Sequence, residues 1–82
     1  IDVYPNTFKQ VLHVETKDDV RQIRIYNLHG KAVKIFGEEA LSGKGNLQWH
    51  GRDNHGNILP KGMYLLEILH NNGRIIHKVS KQ

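Results

Sequence analysis

The 82-residue chain has no cysteine, one tryptophan, one methionine and two prolines. The missing cysteines remove disulfides, thiolate metal sites and cysteine nucleophiles together. They leave the compartment open, because exported proteins also do without cysteine. No apolar run approaches the ~20 residues of a membrane-spanning helix. Serine is scarce as well: Ser42 and Ser80 are the only two, and neither sits in a nucleophile-elbow pattern. Adjacent carboxylates occur only as Asp18–Asp19 and Glu38–Glu39, and neighbouring residues in turns point apart rather than flanking a bond. No glycine-rich phosphate cradle follows a strand. A chain this short buries only about 60–65% of its unfolded surface, which leaves little apolar material for an enclosed active site. These absences argue against an enzyme and against a bound cofactor. The chain opens on Ile1 without a charged-then-apolar leader. Residues 1–82 are therefore expected to be a single domain from a longer protein.

Twelve basic residues against eight acidic ones give a net charge of +4 and a calculated pI of about 9.6. The basic residues are spread along the chain without a block of five or six, the pattern of solvated strand faces rather than a nucleic-acid arm. They thicken only at the end, where His77, Lys78 and Lys81 fall within five residues. Stacking platforms need exposed aromatics interleaved with basic groups. Trp49, Tyr64 and Phe36 read as core and Tyr4 and Phe8 lie in the N-terminal segment, so only Tyr26 beside Arg24 qualifies. No nucleic-acid partner is expected.

Period-two patterns interrupted by turn residues every 8–12 positions predict an all-β sandwich. In Val11–Glu15, Leu12 and Val14 share one face. In Val20–Leu28, Ile23 and Ile25 point one way while Arg24 and Tyr26 point the other. Leu28–Lys31 reads as a tight turn with Gly30 at positive φ, and Lys31–Phe36 returns as a strand to complete a hairpin. Residues 37–45 read as a connection holding one helical turn. Leu47–Trp49 is a short strand with Trp49 as core plug. Residues 50–62 carry turn chemistry, and Pro60 bars a central strand there. Met63–His70 is the most apolar segment, with Tyr64, Leu66 and Ile68 on one face and Leu65 and Leu69 on the other. It is expected to be a central strand covered partly on both sides. Asn72–Gly73 predicts a type I′ hairpin turn, after which Arg74–Val79 pairs back. The sum is an immunoglobulin-like antiparallel β-sandwich of six or seven short strands.

Six histidines invite a metal reading, since His50, Asp53 and His55 lie close in sequence and suit zinc or copper. Two histidines five residues apart without a further ligand specify such a site weakly, and no metal is expected. Residues 53–57 (DNHGN) are similarly short of the carboxylates a calcium loop needs. An Asx-type turn ending in a left-handed Gly56 is the simpler reading.

Several stretches together resemble a known family. Val3-Tyr4-Pro5-Asn6 resembles the opening of the type A C-terminal sorting domains of the type IX (Por) secretion system of Bacteroidetes. Residues 23–31 match its alternating strand followed by a turn, with Gly30 and Lys31 at the turn. Trp49, Gly51, Asp53 and Gly56, then Gly62 and Tyr64, match its W-x-G-x-D-x-x-G and G-x-Y patterns. Lys78-Val79-Ser80-Lys81 stands where the family ends in a K-V-x-K-like tail. Thr7 departs from the pattern, standing where a second proline usually lies, which restores a backbone donor and frees φ. The central stretch alone is also similar to immunoglobulin-like domains of flagellar hook-capping proteins. A binding or scaffold domain without an export role is therefore the alternative.

The resemblance implies a C-terminal signal that directs its cargo from the periplasm to the outer-membrane surface or the medium. It implies recognition by the outer-membrane translocon and its shuttle proteins, often followed by removal by a sortase-like peptidase. On this reading Lys78, Val79, Ser80, Lys81 and Gln82 carry recognition, through an unpaired edge strand bearing positive charge. Tyr4, Pro5, Asn6, Gly30, Lys31, Trp49, Gly51, Asp53, Gly56, Gly62 and Tyr64 are mainly structural. Residues 78–82 are expected to add little core, so that deleting them would leave the sandwich folded. An exposed last strand could also exchange between two copies.

Overall fold

A computed structural model describes residues 2–16, 20–41 and 45–82. Asp18, Asp19 and Ser42 lie outside the described residues. Eight strands and one helical turn follow in chain order. They are β1 (Asp2–Tyr4), β2 (Thr7–Phe8), β3 (Leu12–Glu15), β4 (Val20–Tyr26), β5 (Ala32–Phe36), α1 (Glu38–Leu41), β6 (Asn46–Trp49), β7 (Gly62–His70) and β8 (Gly73–Lys81). A three-stranded sheet has the order β1-β3-β6, and a five-stranded sheet the order β2-β8-β7-β4-β5.

The two sheets pack as a sandwich because alternation gives each strand one apolar face. Leu12 and Val14 of β3 and Leu47 and Trp49 of β6 meet Ile23 and Ile25 of β4, Tyr64, Leu66 and Ile68 of β7, and Val79 of β8. Trp49 is the largest of the fully buried side chains. Its ring lies edge-on to Tyr64 at 5.6 Å and tilted against Phe8 at 5.4 Å. Its indole N–H donates to the Arg52 carbonyl at 2.9 Å, which satisfies the one polar atom that so large a plug brings inside. The helical turn α1 sits against β4, β5 and β6 and closes one end with Leu41.

The sandwich and most strand positions follow the sequence pattern, with three corrections. Among the described residues the strand count is eight because the N-terminal segment adds β1 and β2. β1 pairs with nearby β3, whereas β2 pairs with β8 more than seventy residues away. The sheet is also not wholly antiparallel, because β2 runs parallel to β8. The last hairpin is the third correction. Its two-residue loop is Asn71–Asn72, with His70 opposite Gly73. No asparagine among the described residues takes a positive φ, and at this hairpin Gly73 does, at 138°. The turn therefore lies one residue earlier than predicted and is not type I′, whose two central residues both need positive φ.

Candidate functional site

The end of β8 is where the sequence motifs meet. Lys81 pairs across to Gly62 and Val79 to Tyr64 on β7. On the other side Ser80 and Lys81 pair with Thr7 and Phe8. The Ser80 amide donates to the Asn6 carbonyl and the Gln82 amide to the Phe8 carbonyl, both at 2.8 Å. The Asn6 side-chain oxygen lies 3.0 Å from His77 Nε2. Asn6 and Phe8 thus fasten the tail at both ends of β2. Tyr4 itself stacks on His13 at 5.3 Å, while Pro5 is exposed.

This corrects the expectation of an unpaired terminal edge. Residues 80–82 are bonded to the β2 segment, Val79 is 1% exposed, and Lys81 is 9% exposed. They add core, so deleting them would remove a filled position and strip β2 of the one strand it pairs with among the described residues. The free side of β8 lies upstream: among the described residues no strand pairs with residues 73–79 opposite β7. Lys78 and Gln82 are exposed and Ser80 is half-buried. Exposed Ile75 and Ile76 lie on that free stretch.

The loop after Trp49 supports the same place. Gly51 is buried and takes φ +72°, and a Cβ on it would stand 2.5 Å from Lys81 Cε. The positive φ favours glycine there, and the lysine stem lies across it, so an added Cβ would push the stem aside. Asp53 Oδ1 accepts from the amides of His55 and Asn57, each at 2.9 Å, and Gly56 follows at φ +84°. The Asx-type turn is as expected. The Asn57 amide foremost, with the His55 amide, holds the Asp53 carboxyl below its ordinary value against a smaller opposing effect of burial. Among the described residues no three His, Cys, Asp or Glu side chains converge as metal ligands. The Tyr64 hydroxyl donates to the Pro60 carbonyl at 2.6 Å, and burial pushes its phenol up. Gly62, at φ +146°, starts the strand that carries Tyr64. At the other hairpin Asn27 Oδ1 receives the amides of His29 and Lys31, and Gly30 takes φ +81°.

Two contributors escaped the sequence reading. Asn54 acts as a substitute strand on the β5 edge. Its amide donates to the Val33 carbonyl and its side-chain oxygen receives the Ile35 amide, both at 3.1 Å. Glu67 is buried at 6% exposure on the outer face of the five-stranded sheet. It receives Tyr26 Oη at 3.1 Å and Arg74 Nη1 at 2.9 Å, with Arg24 at 3.5 Å. Tyr26 is therefore an anchor for Glu67 rather than a free stacking platform. Cross-strand register places Arg24 opposite Glu67, a signal that becomes visible only once the pairing is known.

The molecule is an all-β sandwich in which Asn6, Gly51, Gly62 and Tyr64 bear on the end of its final strand. The model of the secretion system C-terminal sorting domain matches residues 2–82. The chain belongs to this family, the C-terminal sorting domains of type IX secretion. No curated protein and no solved structure matches it significantly. The family is a sorting signal rather than a catalytic domain, one that engages the secretion machinery and directs export across the outer membrane.

Proposed function

We propose that the outer-membrane translocon and its shuttle proteins recognise this domain through the last strand and tail, Lys78 to Gln82. On this reading the chain is the end of a larger exported protein, and a sortase-like peptidase removes it at the surface. The observation that supports the reading is convergence. The Asn6 carbonyl, Gly51, Gly62 and Tyr64 all bear on Ser80, Lys81 or Val79. Four motif residues bearing on one strand end hold that end in a fixed shape, and a preorganised surface loses less entropy when it binds.

The five residues divide the work. Val79 and the Lys81 stem hold the strand against the core, while Lys78, Ser80 and Gln82 meet the receptor. The free side of β8 upstream offers main-chain donors and acceptors for strand addition. The same side would pair two copies in a strand-exchange dimer.

A cargo fused to residues 1–82 tests this with point variants in place of deletion. Lys78→Glu and Gln82→Glu should reduce export at unchanged melting temperature, because both side chains are exposed. Val79→Ala should lower stability and export together. Normal export of both exposed-residue variants would contradict recognition at the tail.

A further inference from the structure

Beside the end of β8 lies a depression of about 340 Å³ lined by Lys9, Gln10, His50, Arg52, Ile58 and Lys81. No carboxylate lines it. The nearest side-chain carboxylate in sequence, Asp53, is turned onto its own loop amides. The side chains of Lys9, His50 and Lys81 have no hydrogen bond or ion pair among the described residues. Lys9, Arg52 and Lys81 thus bring three positive side chains to one small volume that no side-chain carboxylate lines among the described residues.

The site is built rather than incidental at its deepest member. Lys81 is 9% exposed, its strand is paired on both sides, and its stem lies on buried Gly51 with no space for a Cβ between them. The ammonium is thus held at the pocket by packing of the methylenes. Arg52 is likewise oriented, since Nη1 donates to the Gly56 carbonyl at 2.8 Å, which leaves its other donors for a ligand. Like charges held together without a counter-charge repel, and a bound anion relieves that repulsion.

We propose that this pocket binds a phosphate group, independently of how the export machinery reads the tail. A carboxylate would neutralise one of the three cations. A phosphate monoester carries about −1.5 to −2 charges at neutral pH and three acceptor oxygens, matching two lysines and one arginine more closely. Gln10 and His50 supply further polar groups at the rim.

The test is a titration of isotope-labelled residues 1–82 with inorganic phosphate at constant ionic strength, against sodium chloride alone, read by amide shifts. Saturable shifts confined to residues 9–10, 50–52 and 81, absent with chloride, are expected. Lys81→Met keeps a stem on Gly51 and removes the charge, so it should weaken phosphate roughly tenfold or more, the size of one charge-assisted hydrogen bond. Should that variant fail to fold, Arg52→Gln on the exposed rim reads the same loss. Co-sedimentation with phosphatidic acid vesicles, against phosphatidylcholine vesicles, separates the sources. Binding to phosphatidic acid that Lys81→Met or Arg52→Gln abolishes supports a lipid headgroup, and saturation by inorganic phosphate without vesicle binding supports a free phosphate. Unsaturable shifts spread over all surface lysines, or equal binding by wild type and both variants, would overturn the proposal.

Discussion

Replacing Gly51 with alanine should destabilise the domain by an amount that depends on Lys81. A non-glycine residue in the left-handed region costs roughly 1–2 kcal/mol, and Gly51 sits at φ +72°. The new Cβ would also stand 2.5 Å from Lys81 Cε and 3.1 Å from Cδ, so the stem must lift away. Two buried methylenes are worth about 1.5 kcal/mol at ~0.8 each. Gly51→Ala alone should therefore cost about 2.5–3.5 kcal/mol. In a Lys81→Ala background the stem is already gone, and only the conformational cost of about 1–2 kcal/mol remains. The coupling between the two positions should be about 1–1.5 kcal/mol, above the ~0.5 kcal/mol scatter of independent sites. Gly56→Ala is the internal control. Its φ is +84° but nothing lies within 4 Å of the added Cβ, so it should cost the same conformational term and show no coupling to Lys81→Ala. Guanidinium unfolding followed by the single tryptophan, Trp49, measures all of these. Additive behaviour of Gly51→Ala and Lys81→Ala would refute the packing of the stem on the glycine, and with it the fixed geometry of the tail.

Two further outcomes follow from the loop that carries Gly51. The Asp53 carboxyl is held below the ordinary value of 3.8 in the folded state, so its contribution is present above the unfolded pKa and lost as pH falls through the folded one. The stability gap between wild type and Asp53→Asn should be constant from neutral pH down to about the unfolded value and then close in acid. A gap that widens in acid would contradict the sign. Asn54→Ala should speed hydrogen exchange at the Ile35 amide while leaving β4–β7 amides protected, at a cost of roughly 0.5–1.5 kcal/mol. It should also promote self-association through the uncovered β5 edge, which sedimentation at rising concentration would detect.

What could be read from the sequence was mostly local. Alternation placed Leu12, Val14, Ile23, Ile25, Leu66 and Ile68 in the core because every second residue of each strand is apolar and shares one face. The turn at Asp53 and the left-handed Gly30 and Gly56 were legible because their chemistry lies within five residues. Failures came where a partner was distant. Nothing in Thr7–Phe8 announces a parallel pairing with Ser80–Lys81, so the tail looked like a bare edge. Glu67 interrupts an apolar strand, and its burial makes sense only with Arg74 and Tyr26 brought beside it by two neighbouring strands. Lysine is among the residue types least often buried, and no local pattern marks Lys81 as the exception that Gly51 accommodates. The displaced hairpin turn shows a smaller limit. Asn71 and Asn72 are both good turn formers, and composition alone does not choose between adjacent registers.

The central claim is that these 82 residues suffice as a sorting signal, and a transplant tests it most directly. Residues 1–82 would be fused behind a periplasm-directed fluorescent reporter in a host with a type IX system and in the same host lacking its translocon. Fluorescent protein is expected at the surface or in the medium only where the translocon is present. An intact, folded fusion retained in the periplasm of both hosts would contradict it.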